Sequence, residues 1–179
     1  MVKSKMAKPV YPYPYPGYEY DQKFEEELKK RKEELKREER EERKKEREEK
    51  TVKMKDTIIK IYNTVYLKKD LGNYLNKMPG NTGILAYTEF RYLKETINEM
   101  YKTIISNKKY KIENLIELTG KLIQHFSKID ILVEVTCENN NSDGFYKVCK
   151  EIGENSLETI LFNLKLDLEY LLRLLAELK

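Results

Sequence analysis

From Val52 onward, apolar side chains recur every three or four residues, which is the spacing of one face of an α-helix. This spacing predicts a first core helix at residues 52–67, a second that begins at Thr88 as its N-cap and ends near residue 107, and a third at residues 112–135. The inward-facing residues of these three helices are expected to be Ile58, Ile61, Tyr62, Val65 and Tyr66; Phe90, Leu93, Ile97, Met100, Tyr101 and Ile104; and Leu115, Leu118, Leu122, Phe126, Ile129 and Val133. No segment of useful length alternates with a period of two, so we expect no sheet.

Turn-forming residues set the other boundaries. Four of them predict an irregular connection between the first and second core helices: Gly72, Pro79, Gly80 and Gly83. The polar run at residues 138–144 predicts a loop, and a short helix at residues 145–152 should then stop at Gly153. Ser156 is expected to cap the last helix. Its leucines form the clearest helical signal in the chain, at Leu157, Leu161, Leu164, Leu168, Leu171, Leu175 and Leu178.

The segment at residues 21–50 differs in character, because nearly every residue in it is charged. It holds 13 basic and 13 acidic residues, and acidic residues precede basic ones by four positions in pairs such as Glu25–Lys29 and Glu33–Arg37. Such pairs stabilise an isolated helix, whereas Phe24, Leu28 and Leu35 are too few for a coiled-coil seam. We therefore predict a solvated single helix that projects from the domain. It is either a charged spacer or an arm that reaches a neighbouring subunit or RNA.

Residues 1–20 end in a stretch that alternates tyrosine with proline, Pro9 to Tyr20. Proline at every second position blocks a helix and favours an extended, polyproline-like conformation. Two interpretations stay open, namely a disordered tail and an aromatic peptide that docks in a groove on a partner.

Together these patterns predict an all-α protein, a compact bundle of about five helices preceded by a projecting charged helix and a disordered Tyr-Pro tail. The predicted organisation is an extended tail at residues 1–20, the charged helix at residues 21–50 and the bundle domain at residues 51–179. A bundle of that length is large enough for one hydrophobic core.

Charge and cysteine content give little information about function. The formal net charge is +4, and no segment is basic enough by itself to indicate nucleic acid. Cys137 and Cys149 are the only cysteines, which favours two buried free thiols in a reducing, cytoplasmic interior over a disulfide. No signal peptide or membrane span is expected.

Residues that could carry chemistry are sparse. His125 is the only histidine, and without a nucleophile or carboxylate partner in the sequence pattern it is interpreted as structural. Metal binding needs three or four converging ligands, and the glycines form no phosphate-binding loop. We therefore expect no enzyme, no cofactor and no metal site.

Basic side chains beside the second and third core helices are more informative. Arg91, Lys94 and Lys102 lie off the apolar stripe of the second helix, and Lys108, Lys109 and Lys111 crowd its exit. Lys121 and Lys128 share one face of the third helix. Side chains in such positions can contact phosphates without recognising bases. The alternative is an ordinary solvated face, in which Glu95 and Glu99 offset the positive charge.

The segment Leu85-Ala-Tyr-Thr-Glu-Phe-Arg-Tyr-Leu93 resembles a motif of the small subunit of type III-A CRISPR effector complexes, the Csm small subunit. That family typically carries Leu-Thr-Thr-Ser-Lys-(Leu/Ile)-Arg-Asn-Leu at this place. The matching positions are Leu85, Thr88 (for Ser), Phe90 (for Leu/Ile), Arg91 and Leu93. Glu89 stands where the family usually has lysine. The order of elements over residues 52–179 is also similar, with Lys150-Glu-Ile152 near the end of the short penultimate helix.

The resemblance implies a non-catalytic subunit, copies of which stack along the inner side of a ribonucleoprotein filament. It would line the duplex of guide RNA and target RNA through backbone contacts, in antiviral defence, together with the other subunits of the complex. Arg91 is the residue that the resemblance marks as an RNA contact. Helix geometry adds Lys94, Lys102, Lys108, Lys109 and Lys128.

Three alternatives stay open. The small subunit of type III-B complexes is also helical and of similar size. A structural helical adaptor with no nucleic-acid role would use the charged helix as a spacer. The third alternative, an enzyme, is the least favoured by the sequence.

Overall fold

The computed structural model describes residues 18–67, 70–106, 110–139, 144–153 and 156–179, and all structural statements concern these residues. They form six α-helices and a five-residue π-helical segment, without a strand, which confirms the all-α prediction. The predicted Tyr-Pro tail lies outside the described residues except for Tyr18–Tyr20, which begin the first helix.

Helix α1 spans Tyr18–Tyr62. The chain divides into two compact units, one ending at Glu46 and the other comprising Arg47–Lys179, and α1 contributes residues to both. We predicted separate helices on either side of residue 51, whereas the structure has one continuous helix there. The physical reason is that residues 18–62 contain neither glycine nor proline, so nothing in the backbone ends the helix where the composition changes.

In the first unit, residues 23–46 of α1 are mostly charged, and all of them are exposed. The apolar residues among them are Phe24, Leu28 and Leu35. Arg37 donates a hydrogen bond through Nε to Glu41 Oε1 at 3.3 Å, one turn along the helix. Because both partners are exposed, this pair adds only a few tenths of a kcal/mol to the helix.

The second unit starts from the last turns of α1. A π-helical segment, Asn63–Leu67, follows at the end of the predicted first core helix. The short helix α2, Asp70–Leu75, then lies where we predicted an irregular connection. Aromatic rings brace this segment, since Tyr62 stacks between Tyr66, at 4.9 Å between ring centroids, and Tyr101, at 3.9 Å.

Helix α3 spans Gly80–Ile105, so it begins eight residues before the predicted N-cap at Thr88. Thr88 lies inside the helix, where its Oγ1 donates to the Ile84 carbonyl oxygen at 2.8 Å. The prediction failed because Gly80 and Gly83 were interpreted as helix breakers. Gly80 adopts a positive φ of 60° at the helix start. Gly83 is buried against the backbone of Met78.

The remaining helices match their predicted positions closely. Helix α4 spans Ile112–Asn139, α5 spans Gly144–Lys150 and α6 spans Leu157–Leu178. Ser156 caps α6 as predicted, because its Oγ accepts a hydrogen bond from the Thr159 backbone N–H at 3.3 Å. All seven predicted leucines of α6 are buried, and Leu174 joins them.

One continuous core holds the second unit together. Helix α4 packs extensively against α3 and also packs against α6. The predicted inward residues of α3 and α4 are all buried except Tyr101, which is half-buried. Each fully buried leucine or isoleucine contributes about 1.5–3 kcal/mol relative to an exposed one.

The cysteines form a disulfide, Cys137–Cys149, and are not the buried free thiols that we predicted. Helix α4 continues past residue 135, so Cys137 lies on its last turn. Helix α5 then brings Cys149 back to a Cα–Cα distance of 5.8 Å, within the range that a disulfide spans. Both residues are half-buried. The bond joins the end of α4 to α5.

Candidate nucleic-acid interface

Arg91 and Lys102 lie on the solvent side of α3. They are eleven residues apart, close to three helical turns, so both point in nearly the same direction, away from the buried stripe. Both are exposed, and within the described residues neither side chain takes part in a hydrogen bond or an ion pair. They are therefore two cations available to an anionic ligand.

Lys94 lies on one flank of the same helix and is half-buried. Its Nζ is 4.6 Å from the centroid of the Tyr66 ring and 5.8 Å from that of Phe90. Such cation–π contacts are worth about 0.5–1 kcal/mol at a partly exposed site. Lys94 is thus held against the π-helical segment by aromatic faces.

Lys128 belongs to α4 and lies on the opposite flank of α3. Its Nζ donates to Glu89 Oε1 at 3.0 Å, and the other oxygen of Glu89 is 2.6 Å from His125 Nδ1. Residues 89 and 91 point about 200° apart around a helix, so Lys128 does not share a face with Arg91. The predicted site residues therefore do not form one cationic ridge. Lys108 and Lys109 lie outside the described residues.

Glu89 and His125 also explain the lone histidine. Their side chains are only 18% and 20% exposed, and His125 stacks on Tyr92 with 5.4 Å between ring centroids. The cluster of Glu89, Tyr92, His125 and Lys128 joins α3 to α4 at the edge of their interface. Glu89, which departs from the family motif, thus accepts hydrogen bonds from α4.

This cluster predicts that replacing Glu89 destabilises the protein by an amount that depends on pH. Burial raises the pKa of Glu89, but hydrogen bonds from His125 and Lys128 and their positive charges outweigh it, so its pKa lies below the ordinary 4.5. A carboxylate with a depressed pKa stabilises the fold above its unfolded-state pKa, and this stability is lost as pH falls through the folded-state value. Glu89→Gln should therefore cost about 1 kcal/mol near pH 7.

The difference between Glu89→Gln and the unaltered chain should shrink as pH falls below 4.5. Urea unfolding of both proteins between pH 7 and pH 3 measures it. Glu117→Gln, at an exposed pair with Lys121, is the control and should show almost no difference at any pH. An equal cost for Glu89→Gln across the whole range would contradict the assignment of the carboxylate.

Sequence reasoning missed exposed apolar and aromatic residues on α3. Ile84 is 67% exposed, Leu85 55% and Tyr92 49%. We define the outer face of α3 as Ile84, Leu85, Thr88, Arg91 and Tyr92, which share its solvent side. Ile84 and Leu85 were not placed on this face because the helix was predicted to start at Thr88, so both were assigned to a connection.

The structure divides the motif residues between two roles. Phe90 and Leu93 are buried in the core, whereas Leu85, Thr88 and Arg91 are exposed on the outer face. The motif therefore packs one side of α3 into the core and presents Arg91 to solvent on the other side.

The described residues contain no group of three or more His, Cys, Asp or Glu side chains that could hold a metal ion. Within the same residues, no helix combines the length and the apolar character that a membrane span requires. Comparisons with protein-family models, with curated proteins and with solved structures found no match to this chain.

Proposed function

We propose that this chain is the small subunit of a type III CRISPR ribonucleoprotein, of type III-A by the resemblance of its motif. In this role it makes contacts to the sugar–phosphate backbone of the guide RNA–target RNA duplex and carries out no chemistry itself. Its partners are the two RNAs, the other subunits of the complex and further copies of itself.

The observation that carries the proposal is the position of Arg91. It is the basic residue of the resembling motif, it is exposed, and no carboxylate among the described residues pairs with it. An arginine presents its donors in a planar fork that matches phosphate oxygens. Arg91 therefore has both the freedom and the chemistry for a backbone contact.

Two other residues on the solvent side of α3 support an RNA ligand. Tyr92 follows Arg91 on α3 and is 49% exposed; its ring stacks on His125, and its hydroxyl can donate a hydrogen bond to a phosphate or sugar oxygen of the duplex. Lys102 lies about 16 Å farther along the helix axis, so one RNA strand can meet both cations. Lys94 and Lys128, held by Tyr66 and Glu89, should contribute less.

Arg91→Ala is expected to weaken RNA association about tenfold without changing the melting temperature, because one charge-assisted contact is lost from an exposed position. The slope of the logarithm of the binding constant against the logarithm of the salt concentration should also decrease by about one, because one fewer counterion is released. Fluorescence anisotropy with an RNA duplex of arbitrary sequence, at 50 and 200 mM salt, measures both effects. Binding should not depend on the sequence of the RNA.

Arg173→Ala is the matched control, since Arg173 is an exposed arginine on α6 and the net charge changes equally. It should leave RNA binding nearly unchanged. An equal loss in both variants would show a diffuse charge effect instead of a site. If Arg91→Ala unfolds the bundle, Arg91 is a structural residue and the assignment is wrong.

A structural helical adaptor is the second candidate, and one observation favours it. Phe162, Leu166 and Tyr170 form an exposed row along α6 and are 60%, 47% and 40% exposed. Positions four residues apart lie on one helix face, so the row is continuous. Exposed apolar rows of this kind commonly mark protein contacts. The absence of salt-sensitive RNA binding would favour this function.

A further inference from the structure

An open groove of about 730 Å³ lies between α4, α5 and α6, apart from the outer face of α3. Its floor includes the buried residues Val133, Leu157 and Leu161, and the disulfide Cys137–Cys149 forms part of its wall. Phe162, 60% exposed, and Tyr146 supply two aromatic side chains. The groove thus combines an apolar floor with aromatic sides.

The rim of the groove is acidic. Asp130, Glu134, Glu138 and Glu158 line it, against Lys150 and Lys165. Within the described residues none of the four carboxylates forms an ion pair or a side-chain hydrogen bond. Lys150 lies over the Tyr146 ring, with Nζ 5.4 Å from the centroid. The groove therefore offers unpaired negative charge around an apolar surface, which suits a basic, apolar peptide.

The chain itself contains a segment of this chemistry. Residues 3–17 carry Lys3, Lys5 and Lys8 and no acidic residue, followed by Tyr and Pro in alternation. Proline-rich peptides bind in aromatic-lined grooves at low entropic cost because their extended conformation is already restricted. The lysines complement the four rim carboxylates. These residues lie outside the part of the chain that the structure describes.

We infer that the groove binds residues 3–17 of a second copy of the chain. The apolar row of α6 begins at Phe162, inside the groove, and continues outward through Leu166 and Tyr170. If residues 3–17 of the same molecule filled the groove, the apolar row would stay exposed. If they come from a second molecule, the rest of that molecule lies close enough to cover the row. The contact joins two different surfaces, so it is head-to-tail and permits chains of more than two copies. This inference does not depend on RNA binding.

Charge reversal tests the inference with the full chain under non-reducing conditions. The segment variant carries Lys3→Glu, Lys5→Glu and Lys8→Glu. The groove variant carries Glu134→Lys, Glu138→Lys and Glu158→Lys, three exposed positions whose reversal should leave the fold intact. Circular dichroism checks the fold, and sedimentation velocity over a range of concentrations measures self-association.

The unaltered chain should self-associate, and each variant alone should do so at least tenfold more weakly. An equimolar mixture of the two variants should associate again, because the basic segment of one meets the acidic groove of the other. A chain carrying all six reversals should also regain association. Phe162→Ser should weaken association, whereas Ile84→Ser, at a comparably exposed residue of α3, should not.

A chain that is monomeric at all concentrations would overturn the inference. So would variants that fail to associate when mixed, which is the result expected if the segment binds only the groove of its own molecule or an unrelated protein. Retained self-association in the groove variant would place the contact elsewhere.

Discussion

Gly83→Ala is expected to lower the free energy of unfolding by about 2–3 kcal/mol, because α3 begins too close to the preceding turn to admit a side chain. A Cβ built on Gly83 would lie 2.3 Å from the Met78 carbonyl oxygen and 3.2 Å from the Met78 Cβ. The nearest atom belongs to the backbone, so a rotamer change cannot relieve the clash. The first turn of α3 or the turn before it must move.

Gly120→Ala provides a matched control in the same protein. Gly120 is also inside a helix, α4, but a Cβ there meets nothing within 4 Å. Alanine favours a helix interior over glycine by about 1 kcal/mol, so this variant should be more stable than the unaltered chain. Urea unfolding of both variants measures the contrast. If Gly83→Ala is as well tolerated as Gly120→Ala, the close approach at Met78 is incorrect.

Loss of the disulfide should have an effect of similar size. The double variant Cys137→Ser, Cys149→Ser is expected to lose about 3 kcal/mol, the chain-entropy value for a closed loop of this length, since the cysteines are separated by 12 positions. The bond ties the short helix α5 to the end of α4. Without it, seven-residue α5 retains only its apolar contacts, chiefly Phe145 and Val148.

Reductant separates the disulfide from the serine substitutions. The unfolding midpoint of the unaltered chain should fall when dithiothreitol is added, whereas that of the double variant should not change. Mass spectrometry of the alkylated, non-reduced chain should find no free thiol. Two alkylated cysteines in the folded protein would contradict the observed pairing and restore the free thiols that the sequence suggested.

The sequence predicted α4 and α6 well for a physical reason. Each carries an uninterrupted apolar stripe, and Ser156 has an unambiguous capping role. The start of α3 could not be predicted in the same way. Whether Gly83 ends a helix or allows close packing inside one depends on Met78, a contact that is not visible in local sequence.

The candidate site was predictable only in part, because side-chain partners come from other helices. The solvent side of α3 follows from its apolar stripe, so Arg91 and Lys102 could be placed outside the core. Pairing of Lys128 with Glu89 requires the packing of α4 on α3, which spacing within one helix does not reveal. The same holds for Cys137 and Cys149, whose proximity depends on the path between α4 and α5.

The stacked rings of Tyr62, Tyr66 and Tyr101 have a spectroscopic consequence. The chain has no tryptophan, so its near-ultraviolet aromatic signals come mainly from its 14 tyrosines. Rings with centroids 3.9 and 4.9 Å apart and nearly parallel planes are close enough for their electronic transitions to couple, and the packing of α1 on α3 fixes their arrangement. The protein thus carries an intrinsic optical reporter where the end of α1 and its π-helical extension meet α3.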